Sequence, residues 1–353
     1  MFRRSSQRLK QLKVKSSSPR SSPIRKFSII KSRNSSSRKF QLSGIRNLGN
    51  TCYLNSIVQL VRRIDNKEFI EEKPRFVSDD AETFRRYIYN LLIDNKLYIQ
   101  NATKIKQLAL KYIPKYCNVG VNTQEDAHEV LNKIIDEIIN LNSAVDISST
   151  IKCSYPEKYR EPTIEKHNIL SIEIKSRINN ISDLIMNSQK EERLTDFRGD
   201  DDCEGSYTKK LNYIPTGDNV IIHLKRFRFT ETGDVEKIQK KIVPDMMIEM
   251  NNEFFFLDSC IVHYGDTPDV GHYIFQIFDN GKPTSIIDDD EIYNYNKRLV
   301  DDYDYLTNGY IYLYKKVAVD GRKSSRKRKY TRKYTRKSTK RRFKRKSFKR
   351  KFL

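Results

Sequence analysis

Charge along this 353-residue chain is segregated, and the segregation decides which part of it can build a core. Residues 1–40 carry 13 Lys and Arg and no acidic residue, and residues 321–353 carry 19 and none. Like charges at that density repel, so neither segment can collapse on itself, and both are expected to be disordered. Between them lie 36 basic residues against all 45 acids of the chain, a net of −9. The formal net charge of +23 therefore describes neither the body nor the tails. Affinity for nucleic acid or another polyanion is an expectation for the tails alone. The first tail has 12 serines, with Ser18-Pro19 and Ser22-Pro23 among them. The second runs through the tandem Arg328-Lys-Tyr-Thr, Arg332-Lys-Tyr-Thr, Arg336-Lys-Ser-Thr.

The body is long enough to bury one large core or two small ones. It has no apolar run of the ~18 residues that a membrane span needs, and the basic N-terminal segment lacks the apolar stretch of a signal peptide. Five cysteines, Cys52, Cys117, Cys153, Cys203 and Cys260, form no disulfide scaffold pattern. They fit a reducing compartment, hence a cytoplasmic or nuclear protein.

Helical periodicity comes first along the body. Thr51–Arg63 places Leu54, Ile57, Val58 and Val61 on one face. Asp80–Asp94 and Ala102–Lys111 read as further helices. In Thr123–Leu141, Val130, Leu131, Ile134, Ile135, Ile138 and Ile139 form a stripe, with Asn122 or Thr123 as N-cap. From about residue 150 the texture changes to strands: Ile169–Ile174, Asn219–Phe229, Phe254–His263, Tyr273–Phe278 and Tyr310–Lys315. Helices followed by strands give an α+β fold.

Two segments carry chemistry. Gly49-Asn50 turns the chain just before Cys52, which opens the first helix. A helix N-terminus offers unpaired N–H groups and a positive dipole end, both favourable to a thiolate. Asn47, on the incoming loop, can aim its amide at a developing oxyanion. Far downstream, Gly271-His272-Tyr273 starts a strand that reaches the hairpin signal Asn280-Gly281, and the returning strand ends in Asp288-Asp289-Asp290. An imidazole beside a carboxylate is the orienting pair that a nucleophilic cysteine needs. A strict two-residue hairpin sets Asp289 opposite His272 and turns Asp288 to the other face. One bulge would exchange them.

The run Gly44-Ile-Arg-Asn-Leu-Gly-Asn-Thr-Cys52-Tyr-Leu-Asn-Ser resembles the cysteine box of the ubiquitin-specific proteases, papain-like ubiquitin carboxyl-terminal hydrolases, and Gly271-His272-Tyr273 resembles their histidine box. Gln124-Glu-Asp126-Ala-His-Glu129-Val-Leu looks like their thumb-helix motif, Ile221 to Phe227 like a palm strand, and Asn308 to Tyr314 like the closing strand. The resemblance covers residues 42–317 and implies a papain-like fold with thumb, fingers and palm. It implies Cys52 as nucleophile, His272 as general base, Asp288 as the third catalytic residue and Asn47 as oxyanion donor. Asp126 and Tyr273 would bind substrate, and ubiquitin and ubiquitinated proteins would be the partners. His263 competes with His272 but lacks its Gly-His-Tyr setting, while His128, His167 and His223 read as structural or surface residues.

The family's fingers often hold a zinc on two Cys-x-x-Cys pairs. Here Pro156 and Ser206 stand where the partners of Cys153 and Cys203 would be. Two thiolates do not complete a four-ligand site, so no metal and no cofactor are expected. A rival expectation is a non-catalytic ubiquitin-binding protein whose tails bind polyanions. The Ile-, Asn- and Lys-rich body and the Lys/Arg-repeat tail look like proteins of large DNA viruses.

Overall fold

The computed structural model describes residues 42–47, 49–64, 124–137, 143–155, 157–195, 197, 203–295 and 304–317. Both tails and the helices expected at Asp80–Asp94 and Ala102–Lys111 lie outside them. Helix α1 spans Cys52–Arg63 and α2 spans Ala127–Glu137. The strands then follow, interrupted by α3 at Ile181–Ser188 and α4 at Tyr305–Asn308. The arrangement is α+β, as the order of periodicities implied.

Two main sheets are present among the described residues. The larger has eight strands: β4 (Leu170–Glu173), β7 (Asn219–Lys225), β10 (Met247–Met250), β11 (Glu253–Thr267), β12 (Val270–Asp279), β13 (Lys282–Asp288), β14 (Glu291–Asn294) and β15 (Gly309–Lys316). Its order is β14-β13-β12-β11-β15-β7-β4, with β10 paired to β11. The smaller sheet joins β1 (Val145–Ser154), β2 (Glu157–Tyr159), β3 (Thr163–His167), β5 (Glu192–Leu194) and β6 (Tyr207–Pro215). A separate ribbon pairs β8 (Phe227–Phe229) with β9 (Val235–Lys237).

The strand expected over Asn219–Phe229 is thus two strands, parted at Arg226. The Arg226 side chain is fully buried and donates to the carbonyls of Gly309 (2.6 Å), Lys240 (3.0 Å), Leu306 (3.1 Å) and Ile238 (3.2 Å). A buried cation is tolerable only when its donors are matched this fully.

Helix α1 is buried on every side from Cys52 to Val61, not along one stripe. Its apolar face joins Ile261, Phe275, Ile277 and Leu313 of the large sheet. Its polar residues are paired instead: Gln59 Nε2 donates to the Ser43 carbonyl at 2.8 Å, and Asn55 Nδ2 to that of Ile45 at 3.1 Å. Arg63 closes the helix with a two-pronged bond to Asp258 of β11, at 2.8 and 2.7 Å. This clamp fixes the helix axis, and with it Cys52, against the sheet that carries His272.

Helix α2 begins later than its sequence suggested. Asp126 takes the cap: its Oδ1 accepts from His128 N at 2.7 Å, and its carbonyl from Val130 N at 3.0 Å. Asn122 and Thr123 lie outside the described residues.

Cys153 and Cys203 form a disulfide, Cα to Cα 6.0 Å, which corrects the expectation of two separate thiols. The β1–β6 ladder, with Cys153 opposite Tyr207, carries the end of one strand to the approach of the other. Bonded to each other, these sulfurs are not the thiolate donors of a zinc site, and the residues present do not fit one. No helix among the described residues is long and apolar enough to cross a membrane.

Candidate active site

Cys52 occupies the first position of α1, where the helix N–H groups are unpaired, and is 2% exposed. The approach to it is locally wound. Gly49 and Asn50 both have positive φ, and the Asn47 side chain organises the turn from within. Asn47 Oδ1 accepts from Gly49 N (2.9 Å), Thr51 N (3.2 Å) and Thr51 Oγ1 (3.3 Å). Its oxygen thus held, the amide can present only its nitrogen. Asn47 Nδ2 donates one hydrogen to Asp289 Oδ2 at 3.0 Å, which leaves the second N–H for a ligand.

His272 lies near the start of β12, directly after Gly271. At Gly271 φ is +139°, and a Cβ would collide with the Tyr264 carbonyl, so only glycine lets β12 approach β11 here. His272 Nε2 meets Asp288 Oδ1 at 2.6 Å. Its pKa is raised to about 10 by that bond first and by a hydrogen bond with Cys52 second, against the opposing effect of burial. His272 is thus bonded to Asp288, with Cys52 the second group that raises its pKa.

The register explains why the partner is Asp288. Near the turn, Asp279 pairs with Lys282 and Phe278 with Pro283, as a two-residue hairpin demands. The register then shifts: Ile277 pairs with Ser285, Gln276 with Ile286 and Phe275 with Ile287. Thr284 is the extra residue, and its Oγ1 donates to the Ile277 carbonyl at 3.2 Å. Continued, the new register sets Asp288 across from Ile274, on the face that His272 shares.

Asp289, the residue an ideal hairpin would have put there, turns away with φ +51° and does different work. Its Oδ1 accepts from Asn55 at 2.7 Å, its Oδ2 from Asn47, and its carbonyl from Ile45 N at 2.7 Å. One residue thus ties the incoming loop, α1 and the β13–β14 turn together. Beside it, a Cβ on Gly44 would collide with the Asp290 backbone. The side-chain donors of His272, Asp288 and Asp289 lie within 4.8 Å of one another, the spacing a metal needs. A metal there would compete with the hydrogen bonds just described.

The remaining residues sort by burial. Cys260 is fully buried and its thiol is pushed up to about 12, which removes it as a nucleophile. His263 lies on β11 with its ring 4.2 Å from that of Tyr273, and burial lowers its pKa to about 3. His128 and His223 stack at 3.8 Å between α2 and β7, while His167 meets Glu165 at 3.4 Å on the outer sheet. Tyr273 is buried; its hydroxyl donates to the Pro268 carbonyl at 2.7 Å and accepts from Ala127 N at 3.4 Å. The half-buried carboxylate of Asp126 accepts from Tyr310 at 2.7 and 3.0 Å, and burial raises its pKa to about 6.

Sequence reasoning assigned no role to Asn55 or Gln124. The signal for Asn55 was a polar residue inside an apolar helix, and for Gln124 a polar one just before α2. Gln124 Oε1 lies 3.7 Å from Cys52 Sγ and accepts its hydrogen.

Residues 43–314 match the family model "Ubiquitin carboxyl-terminal hydrolase". The chain is 22% identical over 300 residues to ubiquitin carboxyl-terminal hydrolase 4 of Arabidopsis thaliana, covering 65% of this chain and 79% of that protein. It is 30% identical over 143 residues to ubiquitin carboxyl-terminal hydrolase 6 of Schizosaccharomyces pombe, covering 37% and 30%. Among solved structures, the SAGA Ubp8/Sgf11/Sus1/Sgf73 DUB module bound to ubiquitin aldehyde aligns with a TM-score of 0.62 at 20% identity, over 79% of this chain and 70% of that one. The same module bound to monoubiquitin aligns with a TM-score of 0.61, also at 20% identity and over 79% and 70%. With its papain-like α+β fold and a cysteine at the head of α1, the chain belongs to the ubiquitin carboxyl-terminal hydrolase family of cysteine-type hydrolases.

Proposed function

We propose that this protein is a deubiquitinase that hydrolyses the peptide or isopeptide bond after the C-terminal glycine of ubiquitin, with Cys52, His272 and Asp288 as its triad. The observation that carries this reading is the 2.6 Å bond of His272 to Asp288, with the helix-borne Cys52 as the second group that raises the imidazole's pKa. His272 takes the Cys52 proton, and Asp288 holds the ring in the tautomer that allows it. The thiolate attacks the glycine carbonyl. The free N–H of Asn47 and the N–H groups at the head of α1 receive the oxyanion. His272 then protonates the leaving amine, and water cleaves the thioester. Asp126, half-buried at the head of α2, is the residue we assign to the substrate's tail. Tyr273 supports it from below, through the Ala127 contact.

The experiment is covalent. Ubiquitin carrying a C-terminal electrophile should add one ubiquitin mass to the protein. Cys52→Ala should abolish the adduct, whereas Cys117→Ala and Cys260→Ala should not. An adduct that persists in Cys52→Ala overturns the assignment.

The charge segregation supports a second role for the tails, which hold the excess of positive charge. We propose that they bind nucleic acid or another polyanion. Retention on immobilised DNA should weaken steeply with salt, because it rests on counterion release. It should be lost when residues 1–40 and 321–353 are removed.

A further inference from the structure

Gln124 lies beside Cys52 and holds a donor that has nothing to do while Cys52 is a thiol. Its side chain is 6% exposed. Oε1 accepts from the Cys52 thiol at 3.7 Å, while Nε2 has no hydrogen-bond partner among the described residues. The chain just after it is anchored to the large sheet. Asp126, two residues on, is bound by Tyr310 of β15, and Ala127 N donates to Tyr273, the neighbour of His272 on β12. The amide is therefore fixed in place but not in orientation, since the terminal torsion of glutamine is broad and nearly two-fold.

Ionisation of the sulfur reverses what it needs from this neighbour. A thiol donates, and Oε1 is a suitable acceptor. A thiolate only accepts, and Oε1 beside it is repelled. Half a turn of the amide brings Nε2–H to the sulfur and gives the orphan donor a charged acceptor, the stronger kind of hydrogen bond. The group left over is then a carbonyl, which tolerates an unmade bond better than a buried N–H does.

We propose that Gln124 is a positioning residue for the nucleophile: its amide accepts the S–H of Cys52 when that residue is a thiol and turns over to donate to the sulfur in the thiolate–imidazolium pair with His272. The proposal rests on the reading of Cys52 as the nucleophile. No bond but S–H is broken, and the proton goes to imidazole Nδ1, because Nε2 serves Asp288.

The test uses the full chain and a small reagent, so that ubiquitin recognition does not enter. Alkylation of Cys52 by iodoacetamide is followed from pH 5 to 10 in wild type, Gln124→Leu and Gln124→Glu, with the modified residue located by peptide mapping. Gln124→Leu removes the donor, and the midpoint of the rate–pH curve should rise by about one pH unit. Gln124→Glu keeps the shape but offers a negative acceptor, and the midpoint should rise further. With a ubiquitin–fluorophore substrate, kcat should fall on the order of tenfold in Gln124→Leu with KM nearly unchanged. A residue that only fills space would lower rates at all pH values alike, and an unmoved midpoint in both variants overturns the proposal. Should Gln124→Leu fail to fold, Gln124→Met, which keeps the length without a donor or a charge, decides alone. Midpoints that move in a protein with no hydrolase activity would sustain this inference while refuting the proposed function.

Discussion

The two sheets of this protein are built on opposite terms. In the eight-stranded sheet, β7 and β15 each run six consecutive buried residues, as does β12 from Tyr273 to Phe278. In the five-stranded sheet, β2 is wholly exposed, β3 nearly so, and β1 is buried only at Val145 and Cys153. Strands covered on both faces have no freedom to shift side chains without opening the core. The first sheet can therefore hold His272 and Asp288 at 2.6 Å, as the proposed triad demands, whereas the second can present a surface and tolerate change. Position in one sheet or the other should decide what a substitution costs.

The largest effect belongs to the residue that both the helix and the sheet serve. Cys52→Ala should lower hydrolysis of a ubiquitin–fluorophore by several orders of magnitude while leaving the melting temperature within a few degrees. Activity that survives would place the nucleophile elsewhere.

Next comes the acid supplied by the β13 register. Asp288→Ala should reduce kcat/KM on the order of 10²-fold by freeing the imidazole. In the proposed mechanism the working pair is thiolate and imidazolium, so activity should persist until the pH rises through about 10, where His272 loses its proton. Because the Asp288 bond is the largest cause of that raised value, Asp288→Ala should bring the alkaline limb of the pH–rate profile down toward ordinary imidazole values. Asp289→Ala should cost less, about tenfold, since it releases Asn47 and Asn55 but leaves the imidazole held. The opposite ranking would mean that aiming the oxyanion donor matters more than orienting the base.

Stability gives a direct contest between the sheets. Ile221 of β7 is fully buried, and Ile221→Ala should cost about 2–5 kcal/mol in chemical denaturation. Ile164 of β3 is 64% exposed, and Ile164→Ala should stay within about 0.5 kcal/mol. Comparable losses at the two sites would break the contrast. Between them, replacing both Cys153 and Cys203 by Ser should lower the melting temperature by a few degrees without altering alkylation of Cys52, because their link lies in the outer sheet.

The outer sheet was also the part least legible beforehand. Strands β1, β2, β3 and β5 are short or half-exposed and carry no strong alternation, so no period marks them. The buried strands announced themselves as apolar runs between turn residues, and α1 as a stripe behind a Gly-Asn turn. Even there, periodicity marked only part of what α1 buries. A stripe identifies the face that meets apolar neighbours, but Asn55 and Gln59 are buried against backbone carbonyls, which leave no mark in hydropathy.

What the amino-acid order determined alone is local. It set a cysteine behind a turn at the head of a helix, a histidine after a glycine at the start of a strand, and acids at the end of the next strand. Each of these follows from backbone propensities that act within a few residues. Which acid reaches His272 was not local. It depends on one extra residue, Thr284, absorbed as a register shift when β12 and β13 pack into the sheet, and that moves Asp288 onto the histidine's face. The second task of the acidic run, Asp289 holding Asn47 and Asn55 across 242 and 234 residues of chain, arises only once the α1 end of the chain meets the β13–β14 turn. Side-chain hydrogen bonds at that separation are products of packing, and no pattern along the chain encodes them.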